Sequence, residues 1–161
     1  MVRVALKTSP KNIQQAIAAT FFRMNQKHYR LEEIANPSNQ HCEVDFEFGI
    51  GEEATFSFLD EGALSMLKAA ITKKPLDFLD FLGVLQYHLF DELRRRAALK
   101  SDYYFLRFAF SWSSMELLIS HERGPRRVHV EDLIDFLLKH VTSELIDHHD
   151  DSIKLKSERI T

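Results

Sequence analysis

Two spacings of apolar residues open the chain. Residues 2–7 alternate between apolar and polar side chains, which is typical of a strand with one buried face. Ser9 can then cap a helix and Pro10 suits its first position, and apolar residues recur every three or four positions as far as Met24. The sequence therefore predicts a short strand followed by an amphipathic helix.

Alternating patterns return twice and predict two antiparallel hairpins. The first covers residues 44–58, after a weaker extended segment at 29–34 and a turn signal at 36–39. The second covers residues 106–119, with a turn at Ser113 and Ser114. In both hairpins the apolar positions, many of them Phe, share one face, so each hairpin is expected to bury that face.

Three further helices are predicted. Asp60 is a candidate cap for a helix that must end or bend near Pro75, because proline removes a backbone donor and clashes with the preceding turn. Residues 76–99 are apolar on nearly all sides, and we interpret them as the longest helix, either central in a monomer or shared with another subunit. Residues 130–145 predict the last helix, which has acidic residues at its positive end.

The predicted order of elements is β-α-β-β-β-α-α-β-β-α. This order favours an α+β fold, with an antiparallel sheet and helices packed mainly on one face. We expect a single domain over residues 1–147 and a polar, frayed tail over residues 148–161.

From Pro10 onward the element order resembles that of the small acidic chaperones of type III secretion, which have a helix, three strands, a helix, two strands and a final helix. The resemblance is architectural and rests on no motif. The first strand and the added central helix depart from that pattern. The resemblance therefore assigns no residue and establishes no function.

The composition is that of an ordinary globular chain of one domain, with 161 residues, 45% hydrophobic and 28% charged. The net charge of −3 gives no overall attraction to nucleic acid or to an anionic membrane, although a local patch could bind either. The sequence contains neither a secretion signal nor an apolar run long enough for a membrane span, and Cys42 is the single cysteine. We therefore expect a soluble, cytoplasmic protein.

One loop is a candidate for binding anions. Arg123, Arg126 and Arg127 flank a Gly-Pro pair, and a loop held by these residues can present several guanidinium groups to a phosphate or to RNA. The other arginine run, residues 94–96, fits the C-terminal turn of the expected central helix, where cations are stabilised. The glycine patterns of nucleotide-binding loops do not occur in the sequence.

Other chemistry has little support in the sequence. His41 adjoins Cys42, but neighbouring strand residues point to opposite faces, so the pair is a poor base and nucleophile. Two histidines and two aspartates at 148–151 fall in the expected tail, where ligands lack a rigid frame, and the acidic pair at 52–53 suits a solvated turn. The sequence predicts no catalytic residue, no metal site and no cofactor, and it leaves enzymatic activity open.

The leading hypothesis is a non-enzymatic protein-interaction or chaperone-like module that forms a homodimer or binds a protein partner through the apolar segment 76–99. The candidate interface residues are Phe78, Phe81, Leu82, Leu85 and Leu89. Two alternatives stay open. One is an anion- or nucleic-acid-binding protein that uses the arginine loop, and the other is a small-molecule enzyme with a pocket between sheet and helices.

Overall fold

The computed structural model describes residues 1–6, 8–35, 42–52, 55–90, 93, 95–148 and 156–159. The elements in chain order are β1 Val2–Ala5, α1 Pro10–Met24, β2 His28–Arg30, α2 Leu31–Ile34, β3 Cys42–Glu52, β4 Thr55–Phe58, α3 Glu61–Lys73, β5 Phe78–Phe90, β6 Arg96–Ala98, β7 Asp102–Phe110, β8 Ser114–Arg123, α4 Val130–His148 and β9 Lys156–Arg159.

The strands form one antiparallel sheet in the order β2-β3-β5-β7-β8-β1-β9, with β4 paired to the far half of β3 and β6 to the end of β5. Helix α1 contacts both α3 and α4, and these helices pack over β3 and β8. The side of the sheet that faces the helices carries the buried core residues of β1, β3, β5, β7 and β8. The predicted α+β fold with an antiparallel sheet is confirmed.

The helix starts follow from local capping chemistry, as the sequence predicted. The Ser9 hydroxyl accepts a hydrogen bond from the Asn12 backbone N–H at 3.2 Å, and Pro10 occupies the first turn. The Asp60 carboxylate accepts a hydrogen bond from the Ala63 N–H at 2.8 Å, and α3 ends at Lys73, two residues before a proline. The last helix and both hairpins are also confirmed.

The predicted central helix over residues 76–99 is wrong. Its apolar part is strand β5, which lies between β3 and β7, and its end contains the short strand β6. Phe81, Gly83, Leu85 and Tyr87 are buried on the helix side of β5, while the residues between them are half-buried on the other side. A strand covered to some degree on both faces is apolar at consecutive positions, and periodicity alone does not separate it from a buried helix.

Two smaller differences concern the segments that precede β3 and follow α4. Leu31–Ile34, expected to be extended, forms the single turn α2, while the turn signal at 36–39 lies outside the described residues. Four residues of the expected tail, Lys156–Arg159, form β9, in which Arg159 pairs with Val2 of β1. Backbone pairing to β1 gives this polar segment a partner that its own sequence does not predict.

Aromatic rings fill the space between sheet and helices. Phe21 of α1 stacks on Phe48 of β3, with ring centroids 4.2 Å apart, and meets Phe81 of β5 edge-on at 4.7 Å. The Phe21 ring also lies 5.8 Å from the ring of Phe108 on β7. These contacts join one helix to three adjacent strands.

Two amide side chains, one in α1 and one at its C-cap, fix the position of this helix over the sheet. The Gln14 side chain donates to the Leu76 carbonyl at 2.7 Å and accepts from the Leu76 N–H at 2.9 Å. Asn25 does the same with Phe48, donating to its carbonyl at 3.0 Å and accepting from its N–H at 2.6 Å. These paired hydrogen bonds hold β3 and the segment before β5 against α1.

Candidate functional site

The broadest candidate surface is the outer face of the sheet, defined as the side of β3, β5, β7 and β8 that points away from the helices. At its centre Leu82 lies opposite Phe105, and Val84 lies opposite Tyr103, so four half-buried side chains adjoin one another across β5 and β7. None of the described helices covers this face. The outer face therefore presents an apolar centre to the surroundings.

A groove of about 590 Å³ runs across this apolar centre. Its lining includes the apolar side chains Leu82, Val84 and Tyr103 and the charged side chains Glu47 and Arg123. The Arg123 guanidinium lies over the Tyr103 ring, 4.2 Å from the centroid, which places a cation at the end of the groove.

A second charged border follows the other side of the apolar centre. Arg107 of β7 forms a two-bond ion pair with Asp80 of β5, with both N–O distances 2.8 Å. The Arg107 guanidinium also lies 5.2 Å from the Phe78 ring centroid and 5.7 Å from that of Phe105. The border is therefore held in a defined geometry by ring contacts as well as by charge.

The predicted interface residues divide between the two faces of β5. Phe81 and Leu85 are fully buried against the helices, and Leu89 is half-buried near the end of the strand. Phe78, which is 56% exposed, and Leu82 lie on the outer face. The sequence analysis assigned all five to one predicted helix, whereas a strand sends alternate residues to opposite sides.

The predicted anion loop is built around a carboxylate of the chain itself. The backbone N–H groups of Arg126 and Arg127 donate to Asp102, at 2.6 and 2.8 Å, from a loop in which Gly124 has φ +113°. A Cβ on Gly124 would lie 2.3 Å from the Ser101 carbonyl oxygen, so the close approach requires glycine. The loop N–H groups thus hold Asp102, while the three arginine residues of the loop are exposed.

Asp102 is fully buried and also accepts hydrogen bonds from the Tyr87 hydroxyl at 2.6 Å and the His121 Nε2 at 2.8 Å. Burial raises the pKa of Asp102, but the four hydrogen bonds together outweigh burial and hold this pKa below its ordinary value. Burial and the bond to Asp102 raise the pKa of Tyr87 far above its usual range. Asp102 is therefore an ionised anchor that joins β5, β7, β8 and the arginine loop.

Cys42 is a poor nucleophile in this fold. Its side chain is buried, and burial is the largest cause that raises the pKa of the thiol. Three positions considered in the sequence analysis lie outside the described residues: His41, the acidic residue at 53 and the histidine at 149. The Cys42 Sγ also makes a weak contact with the Glu43 carbonyl oxygen at 3.8 Å.

The structure brings together one cluster that the sequence analysis missed. His28 of β2 and the pair Glu43 and Asp45 of β3 have potential ligand atoms within 4.8 Å of one another. The Arg96 guanidinium also binds Asp45 at 2.5 Å. Arg96 lies in strand β6 and not at the end of the predicted helix. The hydrogen bond and charge of Asp45 raise the pKa of His28. Position 94 of the same arginine run lies outside the described residues.

No family model, no curated protein and no solved structure matches the chain. Among the described residues, none of the helices is both long enough and apolar enough to cross a membrane.

Proposed function

We propose that this chain is a protein-interaction module that pairs with a second copy of itself through the outer face of its sheet. The observation that carries the proposal is the apolar centre formed by Leu82, Val84, Tyr103 and Phe105, which the described helices leave uncovered. Adjacent apolar side chains on an open sheet face are typical of a surface that a partner covers.

The size of the outer face fits a dimer contact. Residues Phe78–Leu85 of β5 pair with β7 over eight positions. With about 3.4 Å per residue, and about 4.8 Å for each of the four strands β3, β5, β7 and β8, the face measures roughly 27 by 19 Å. A standard interface buries about 800 Å² of accessible surface per partner, and the flat area of this face, roughly 500 Å², approaches that value once protruding side chains are included.

The charged borders favour a second copy as the occupant. Asp80 and Arg107 lie on one side of the apolar centre, and Glu122 and Arg123 lie on the other. In a two-fold dimer both copies use this same surface. Because each border contains an acidic and a basic residue, an acidic group of one copy can face a basic group of the other. Stacked sheets pack about 10 Å apart, which lets the apolar centres interdigitate.

Light scattering and sedimentation velocity over a range of concentrations test the proposal. The wild-type chain is expected to be a dimer, and Phe105→Glu is expected to weaken dimerisation at least about tenfold because it buries a charge at the centre of the contact. Met66→Glu is the matched control, since Met66 is 77% exposed on α3 in the helix layer. A wild-type monomer at every concentration, or equal dimerisation of wild type and Phe105→Glu, would overturn the proposal. Circular dichroism checks that each variant is folded.

Anion or nucleic-acid binding at the arginine loop is a second candidate, favoured by a groove of about 570 Å³ that Lys100 and Arg123 line. Since Asp102 holds the loop backbone, Arg126 and Arg127 extend from a fixed segment. Labelled single-stranded RNA should then bind with an affinity that falls as salt rises and that falls further in an Arg126→Ala, Arg127→Ala double variant. Absent or salt-insensitive binding would end this candidate.

An enzyme with a pocket between sheet and helices gains no support from these contacts. Phe21, Phe48, Phe81 and Phe108 occupy the centre of that space with ring-to-ring contacts.

A further inference from the structure

Four potential metal ligands come from three neighbouring strands on the outer face. His28 of β2 lies directly opposite Asp45 of β3, and Glu43 of β3 lies directly opposite His88 of β5. Since side chains at paired positions point to the same side of a sheet, two histidines and two carboxylates converge at this corner. The ligands lie on regular strands, which hold them in a rigid frame. The histidines at 148 and 149 were expected to lie in a frayed tail, which offers no such frame.

We propose that His28, Glu43 and Asp45 bind a divalent transition-metal ion of the zinc class, with His88 as the fourth ligand. Neutral imidazole and carboxylate together suit zinc, cobalt or nickel, whereas magnesium and calcium prefer a shell made of oxygen atoms alone.

Two of the three measured donor–donor distances fall in the range of a tetrahedral site, whereas His88 is not one of the three residues whose donor atoms all lie within 4.8 Å of one another, so its side chain must move to complete the site. With metal–ligand bonds of about 2.0–2.2 Å, ligand atoms at tetrahedral corners lie roughly 3.3–3.6 Å apart. The His28 Nδ1 lies 3.3 Å from a Glu43 carboxylate oxygen, and the His88 Nε2 lies 3.6 Å from an Asp45 oxygen. The third edge, from His28 Nδ1 to the other Asp45 oxygen, is 2.5 Å and must lengthen by about 1 Å, which a rotation of the exposed His28 side chain allows.

Arg96 competes with the ion for the same carboxylate. Its guanidinium lies 2.5 Å from Asp45, so a metal ion must displace it or share the carboxylate with it. The Arg96 contact therefore provides a test that distinguishes a metal site from a simple network of ion pairs. In a metal site, removal of the arginine charge tightens metal binding, while in an ion-pair network the same change creates no affinity.

Isothermal titration calorimetry with Zn²⁺, and visible absorption with Co²⁺, measure binding to the full chain. Measurements are made at pH 8, because a protonated imidazole does not bind metal. The wild type is expected to bind one ion. Asp45→Asn and His28→Gln should each weaken binding about a hundredfold or more, and His28→Gln should keep the fold because that side chain is 66% exposed. Arg96→Gln should tighten binding about tenfold, since it removes a like charge a few ångströms from the ion.

Two controls exclude the other histidines of the chain. His129→Gln changes an exposed histidine outside the cluster and should leave the affinity unchanged. A double change of the adjacent histidines at 148 and 149 to Gln should also keep the wild-type affinity. Absence of Zn²⁺ binding, binding that persists in both His28→Gln and Asp45→Asn, or loss of binding in the 148/149 variant would overturn the proposal.

Discussion

Replacement of Asp102 by Asn tests whether this buried carboxylate holds the arginine loop to the sheet. One carboxylate oxygen accepts from His121 and from the Arg126 N–H, and the other accepts from Tyr87 and from the Arg127 N–H. An amide has one oxygen and one NH₂ group. In either orientation of the new amide, two of the four donors therefore face its NH₂ group, which is itself a donor, instead of an oxygen.

The expected loss follows from the number of broken bonds. A hydrogen bond to a charged group contributes about 1.5–3 kcal/mol, so two lost bonds give about 3–6 kcal/mol. When the NH₂ group faces Tyr87, the hydroxyl can rotate and accept from the new amide, so only one bond is lost and the expected loss falls to about 1.5–3 kcal/mol. Urea unfolding at pH 7 measures the loss by far-UV circular dichroism. Trp112 is a poor fluorescence probe, because it is 89% exposed in the folded state.

The pH dependence gives a second measurement on the same variant. The pKa of Asp102 in the fold lies below its ordinary value of 3.8, so the carboxylate stabilises the fold above that value and loses its effect as pH falls through the folded pKa. The stability gap between wild type and Asp102→Asn should be constant from pH 7 to about pH 5 and narrow below about pH 4. Asp77→Asn, at an exposed position, is the control and should change stability by less than about 0.5 kcal/mol. A loss below about 1 kcal/mol for Asp102→Asn, or an equal gap at pH 3 and pH 7, would refute the anchoring role.

Three other substitutions probe the fold by the same urea assay. Gly124→Ala should cost about 3 kcal/mol or more, because φ is +113° and the new Cβ would lie 2.3 Å from a main-chain oxygen. The control Gly62→Ala in α3 should be neutral or stabilising by up to about 1 kcal/mol. Phe21→Ala should cost about 3–5 kcal/mol, and a smaller loss would contradict its place at the centre of the aromatic core. Gln14→Met should cost about 2–3 kcal/mol because it leaves an N–H and a carbonyl before β5 without their partners, and an unchanged midpoint would show that these groups find others.

The sequence by itself predicts the elements whose signals are local. A cap at Ser9 with Pro10, a cap at Asp60, and regular apolar spacing over 130–145 lead to α1, α3 and α4, because helix initiation and amphipathicity involve residues within a few positions of one another. The hairpin formed by β7 and β8 is equally local, since its strands are joined by a short turn in which Phe110 pairs with Met115. These elements were sufficient for the α+β class.

The tertiary structure alone decided the nature of β5. Its apolar run is compatible with a buried helix, and it becomes a strand because β3 and β7 satisfy its backbone on both sides. This pairing also divided the predicted interface residues, sending Phe81 and Leu85 into the core and Phe78 and Leu82 to the outer face.

The candidate sites depend on the same long-range pairing. His28, Asp45 and His88 are far apart in the sequence and meet only because β2, β3 and β5 are adjacent in the sheet. Asp102 reaches the backbone of Arg126 and Arg127 for a similar reason, since β7 and β8 return the chain to the same end of the sheet. Strand order depends on which surfaces pack together over the whole chain, and for this reason local sequence patterns predicted α1, α3, α4 and the hairpins but not these clusters.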